Sequence, residues 1–177
     1  MTERSADQGK WWRKAFVTIP AIVAIGLLMG AVSNSGFGND WYDPLDKPSF
    51  QPPGWAFGAA WTTLYILMGI ALALILAAPS SSRRSRALTL FFIQLALNFA
   101  WSPVFFGAGM IDIALLVIIA MTVLVAMTIV AFWKIRPLAG ALLLPYLAWL
   151  CLATALNYET GRLNPGADRA PLGITGA

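Results

Sequence analysis

Five uncharged apolar runs divide the chain, at about residues 15–36, 54–78, 87–107, 113–133 and 137–158. Each approaches the ~20 residues that a helix needs to cross a hydrocarbon core. Lipid offers a peptide group no hydrogen-bond partner, so runs of this length close their backbone bonds internally as helices, and they are too long to be tilted barrel strands. Only 11% of the 177 residues are charged, against roughly a quarter in a soluble domain. The expectation is an all-α integral membrane protein, a five-helix transmembrane bundle over 15–164 with a structured, proline-rich first loop. A short segment at 1–14 precedes it, and a Gly/Pro-rich tail at 165–177, expected to be flexible, follows. The first run exceeds the ~7–15 apolar residues of a secretory signal and is expected to stay as an anchor.

The twelve Lys and Arg residues cluster at span ends. With alternate loops on opposite faces, nine share one face: Arg4, Lys10, Arg13, Lys14, Arg83, Arg84, Arg86, Lys134 and Arg136. Lys47, Arg162 and Arg169 fall on the other. The positive-inside rule then makes the N-terminus cytoplasmic and the first loop and tail external. A net charge of +4 distributed this way forms no continuous basic stripe, so nucleic acid is not an expected partner.

Absences exclude much chemistry. The chain has no His and one Cys, Cys151, which rules out a Ser-His triad, a His-ligated haem or zinc, and a structural zinc site. No metal site and no obligatory cofactor are expected. Every acidic or basic side chain lies outside or at the rim of a run, Asp112 being nearest, and this disfavours ion-coupled transport.

Within the spans, helical periodicity collects rings and neutral polar groups. Gln94, Asn98, Trp101 and Phe105 share one stripe of the third span; Trp61, Tyr65, Met68 and Leu72 share one in the second. In the fifth, Tyr146, Trp149, Ala153 and Asn157 lie on one side, with Pro145 able to bend the helix. Buried amides commonly bond neighbouring helices, and ring stripes commonly pack a core. Three such stripes together favour a pocket for a flat apolar guest whose polar edge the amides orient. Trp11, Trp12 and Trp133 adjoin basic residues and read as an interfacial belt. Gly26 and Gly30 form a GxxxG suited to close helix approach within the bundle or across a dimer. The fourth span has scarcely a polar feature and reads as a lipid-facing or interface helix. Leu156, Tyr158 and Arg162 fit a proposed sterol-contact pattern.

The first loop includes "WYDPLDKPSFQPPGWAF", residues 41–57, with four prolines and five aromatic rings. Pro44, Pro48, Pro52 and Pro53 fix much of its backbone. A stiff loop of this kind suits a lid, with Trp41, Tyr42, Phe50, Trp55 and Phe57 turned down over a pocket; the alternative is a loop resting on headgroups.

The segments "WYDPLDKPSFQPPGWAFGAAWTTLY", "QLALNFAWSPVFFG" and "PYLAWLCLATALNYETGRLN" closely resemble the TspO/MBR family, which includes the tryptophan-rich sensory and translocator proteins and is also called the peripheral benzodiazepine receptor family. The resemblance runs over about 15–164. It implies a five-helix bundle, commonly a homodimer, whose first loop covers a pocket for protoporphyrin IX or haem and for isoquinoline or benzodiazepine ligands. Carried onto this chain, it implies Tyr42, Pro52, Trp61, Asn98, Trp101, Tyr146, Trp149 and Ala153 as pocket residues, with Tyr65, Gln94, Phe105 and Asn157 added by the stripes. It also implies Leu156, Tyr158 and Arg162 as a sterol-associated segment. Ser49, Phe50 and Gly54 stand where some members carry a bulky Trp and a charge, so lid packing is expected to differ.

Three functions follow as expectations: a sensor, regulator or carrier of porphyrin-type tetrapyrroles; light-dependent oxidative breakdown of a bound porphyrin with Trp61 and Trp149 as redox-active rings; or a protein that regulates a membrane partner.

Overall fold

The structure, a computed structural model, describes residues 11–176. Arg4 and Lys10, and with them most of the 1–14 segment, lie outside the described residues. Helix α1 is Trp11–Val32, α2 Gly54–Leu76, α3 Ser82–Ser102, α4 Ile111–Trp133, α5 the short Pro137–Ala141 and α6 Leu144–Leu163. A π-helical turn, Pro103–Gly107, extends α3. Five spans result, the third running Ser82–Gly107 and the fifth Pro137–Leu163, all long and apolar enough to cross a bilayer. The protein is a multi-pass membrane bundle, as the apolar runs dictate.

Local chemistry sets the ends. The Ser81 side chain accepts from Arg84 N at 3.2 Å, an N-cap that starts α3 well before its apolar run begins. Pro137 and Pro145 occupy first turns of α5 and α6, where the missing N–H costs nothing. The break in the fifth span therefore falls at Leu142 and Leu143, ahead of Pro145.

The helices close a ring: α1 packs on α2 and α3, α3 on α4, α4 on α6, and α5 returns to α2. Between α1 and α2 the approach is close enough that a β-carbon on Gly69 would lie 2.7 Å from Ile19 Cα, and the Thr18 hydroxyl donates to Gly69 O at 2.7 Å. Gly26 faces the Tyr65 ring, whereas a β-carbon on Gly30 would meet nothing within 4 Å. The GxxxG thus works inside the bundle at its first glycine.

Helix α4 has a buried face beside the expected lipid-facing one. Its hydropathy is featureless because both faces are apolar, yet Ile111, Ala114, Leu115, Ile118, Met121, Val125 and Phe132 form a buried stripe. Only the opposite face, with Leu116, Val123 and Val130, is exposed.

The tail folds back on the first loop and the start of α4. Asp112 is fully buried, and its carboxylate accepts from Leu172 N at 2.8 Å, Ile174 N at 3.1 Å, Thr175 N at 3.2 Å and the Thr175 hydroxyl at 2.8 Å. Asp168 accepts from Asp112 N at 2.8 Å. Asn164 pairs with the loop in both directions, accepting from Asp46 N at 2.7 Å and donating to Asp46 O at 2.9 Å. Trp41 Nε1 donates to Ala167 O at 3.2 Å. A carboxylate held by four donors offsets its own burial, since charge-assisted bonds are the strong ones.

Candidate functional site

One turn apart on α2, Trp61 and Tyr65 stack, with ring centroids at 5.4 Å and planes at 29°. Across the gap between α2 and α6, Trp61 meets Tyr146 at 6.4 Å and Trp149 at 6.3 Å, both edge-on. Phe57, from the first turn of α2, packs against Trp149 at 5.6 Å. These rings occupy the space because α2 approaches the fifth span closely at α5 rather than along α6.

Asn98 of α3 joins the two phenols. Tyr65 Oη donates to Asn98 Oδ1 at 3.1 Å, and Asn98 Nδ2 donates to Tyr146 Oη at 2.8 Å. Tyr146 Oη in turn donates to Met121 Sδ at 3.2 Å. The chain of neutral groups ties α2, α3, α4 and α6 at one level, and every member is buried. Its energetic weight lies in what an unpaired phenol or amide would cost, about 1–3 kcal/mol each.

Gln94, one turn from Asn98 on the same face, is fully buried, yet neither amide atom has a partner; nor has the buried Trp149 Nε1. Buried polar atoms are overwhelmingly bonded, so these two positions stand apart from the satisfied Asn98. Trp149 also borders an open groove of about 570 Å³ between α2 and α6, with Ala60, Thr63, Leu64, Pro145 and Leu152 on its walls.

A second ring cluster lies toward the loop. Trp101 stacks on Phe105 at 5.1 Å and 14°, and Phe105 meets Tyr42 at 6.0 Å and Trp41 at 5.6 Å. Asn157 fastens it: its Oδ1 accepts from Trp101 Nε1 at 3.3 Å and its Nδ2 donates to Ile111 O at 3.0 Å. Asn39 Oδ1 accepts from Trp41 N at 3.0 Å and Tyr42 N at 2.9 Å, turning the loop so that Tyr42 is buried. Tyr42 Oη donates to Gln51 Oε1 at 3.0 Å. Burial pushes the Tyr42 phenol above its ordinary value, with the Gln51 bond opposing and the Asp43 charge adding. Lys47, whose ammonium lies 4.1 Å from the Tyr42 ring centroid and donates to Tyr42 O and Leu45 O at 2.6 Å, is lowered by burial against the raising effect of Asp43 and Asp46.

The expected stripes therefore converge, but as two packed clusters. Trp61, Tyr65, Asn98, Tyr146 and Trp149 come together in one, with Ala153 packed against the same core. Tyr42, Trp101 and Phe105 form the other, with Asn157 at its edge. Pro52 is partly buried in the loop. The lid differs from expectation: Trp41 and Tyr42 turn in, but Phe50 and Trp55 are 49% and 76% exposed. Both flank the start of α2, where an outward indole suits the membrane interface. In the sterol pattern Leu156 is buried while Tyr158 and Arg162 are exposed, since residues two apart point to opposite sides of a helix. Arg162 pairs with Glu159 instead.

Phe57, expected over the pocket, joins the first cluster through Trp149, and Met121 and Phe99 complete it without having been singled out. Met121 sits on a helix that is apolar all round, so periodicity could not mark it. Phe99, 6.2 Å from Tyr65, lies just off the stripe that contains Asn98.

Compared with known proteins, residues 16–163 match the model of the TspO/MBR family. The chain is 41% identical over 145 residues to the translocator protein of Homo sapiens, covering 81% of this chain and 86% of that one. It is 40% identical over 138 residues to protein CrtK of Rhodobacter capsulatus, covering 77% and 84%. To the tryptophan-rich sensory protein of Cereibacter sphaeroides it is 44% identical over 126 residues, covering 71% and 78%. With a family match along the whole bundle and two-fifths identity to members from bacteria and mammals, this chain belongs to the TspO/MBR family.

Proposed function

We propose that the protein is a membrane sensor or regulator whose signal is a flat tetrapyrrole such as protoporphyrin IX or haem, taken in where α2, α3 and α6 meet. The observation that carries the reading is that, among the described residues, two of the three with unpartnered buried polar atoms, Gln94 and Trp149, belong to the converging stripes, beside a ring cluster bordered by a groove of about 570 Å³. That volume is within the ~300–1,000 Å³ of small-molecule sites. A guest moving along the groove parts Trp149 from Phe57 and Trp61, stacks on the freed indole faces, and gives the orphaned donors and acceptor their partners. The names of two relatives, a sensory protein and a translocator, support a role in detecting or handling a small molecule at the membrane.

Quenching of tryptophan fluorescence by protoporphyrin IX in the dark tests this. Saturable quenching is expected, with affinity falling roughly 2–10-fold in Trp149→Phe, the effect of one lost hydrogen bond. Unsaturable quenching that is unchanged in Trp149→Phe and Gln94→Leu contradicts it.

A second reading, light-dependent oxidation of the bound porphyrin, is favoured by the indole pair itself, Trp61 and Trp149 at 6.3 Å, which offers two adjacent oxidisable rings. Illuminated porphyrin loss that exceeds the loss of free porphyrin, and that disappears in Trp61→Phe while dark binding persists, supports it; loss equal to that of free porphyrin removes it.

A further inference from the structure

At the end of the bundle remote from the first loop, a cavity of about 750 Å³ opens between the start of α3 and the end of α4. Its lining carries Arg83 and Arg86 from α3 and Lys134 from the end of α4, and is otherwise largely apolar, with Leu90, Ala126 and Met127. None of the candidate ligand residues lines it.

Among the described residues the charges there have no ion-pair partner. The chain has no Asp or Glu between residues 47 and 111 or between 113 and 158, which spans both helices and the α2–α3 and α4–α5 connections at this end. Among the described residues the one ion pair, Arg162 with Glu159, is elsewhere. Arg84 is occupied differently: its guanidinium donates to Ala78 O at 2.6 Å, closing the α2–α3 turn. Arg83, Arg86 and Lys134 are left exposed around one opening, although like charges so gathered repel each other.

The membrane context supplies the complement. The cations stand where two apolar spans end, and Trp133, 46% exposed beside Lys134, is the type of ring that settles at headgroup depth. Below them, exposed Met127 and partly buried Leu90 and Ala126 continue the opening into the apolar zone. A basic mouth above an apolar cleft between two spans matches one class of molecule: a phosphate-bearing headgroup with an acyl chain attached. A free phosphate would leave the cleft unused, and a zwitterionic lipid would bring a cation toward three others.

We propose that the α3–α4 cleft is a binding site for an anionic phospholipid of the bilayer, its phosphate held by Arg83, Arg86 and Lys134 and one acyl chain laid along Leu90, Ala126 and Met127. This site is separate from the ring cluster and does not depend on the function assigned there.

The test uses the full-length protein in nanodiscs of phosphatidylcholine with increasing phosphatidylglycerol, with retained lipid counted by native mass spectrometry and thermal unfolding followed in parallel. Phosphatidylglycerol is expected to be retained in preference to phosphatidylcholine and to raise the melting temperature. Each cation near an anionic surface contributes about fivefold in affinity, so Arg83→Gln, Arg86→Gln and Lys134→Gln together are expected to lower retention on the order of a hundredfold. Ala126→Phe, which fills the cleft and keeps every charge, is expected to lower it as well. If the triple variant melts normally in phosphatidylcholine but retains phosphatidylglycerol like the parent protein, the proposal is overturned. If Ala126→Phe has no effect and inorganic phosphate alone gives the same stabilisation, the site reads an anion and not a lipid, and the proposal is equally overturned.

Discussion

The ring of Tyr65 occupies the space in which a β-carbon on Gly26 would stand. This contact joins α1 to the hydrogen-bonded centre of the bundle, because the same tyrosine donates to Asn98 and stacks on Trp61. Gly26→Ala is therefore expected to push the phenol off Asn98 and lower stability by about 1–3 kcal/mol, the range for overpacking a core. Gly30→Ala, at an open position, stays within about 0.5 kcal/mol. Thermal unfolding of both variants in one detergent checks the difference.

Asn98→Ala removes the acceptor of Tyr65 and a donor to Tyr146. A loss of about 1–3 kcal/mol is expected for buried groups left unpaired. Tyr65→Phe removes one of those orphans, so the double variant should lose less than the two single losses summed, a coupling that a double-mutant cycle measures directly.

How much of this was legible in the sequence depends on distance along the chain. The five spans were, because lipid imposes length and apolarity on each run separately. Their ends were less so: the chain is already helical at Trp11, and α3 begins at Ser82, since a capped, charged turn remains helical in water where hydropathy stops reporting. Trp61, Asn98, Tyr146 and Trp149 were legible as stripes, but not their division from the Trp101 cluster, which follows from the ring order of the helices. The docking of the tail was illegible. Asp112 meets Thr175 across 63 positions, and nothing local in a Gly/Pro-rich segment says which carboxylate will gather its amides.

That docking makes its own prediction. Asp112→Ala deletes the acceptor of three backbone amides and the Thr175 hydroxyl. Hydrogen bonds to a charged group contribute about 1.5–3 kcal/mol, so proteolytic cleavage within 165–176 should accelerate on the order of tenfold or more by local opening. Time courses of limited proteolysis report this; an unchanged rate would mean the tail is held elsewhere.

Alkali should act on the first loop through Tyr42. Its phenol is pushed up by burial, so the folded protein keeps the proton while an unfolded chain begins to lose it near pH 10. The contribution is fully present below that value and is lost as pH rises through the higher folded value. Parent protein should thus lose more stability than Tyr42→Phe as pH is raised from about 9 to 11, in melts run side by side.

The central claim is that the rings of α2, α3 and α6 part to admit a planar guest, and a structure of the protein with protoporphyrin IX bound tests it most directly. The account predicts a macrocycle against Trp61 and Trp149, Phe57 displaced, and a polar edge of the guest bonded to Gln94 or Trp149 Nε1. A macrocycle seated elsewhere, with Trp61, Tyr146 and Trp149 still packed on one another, would contradict it.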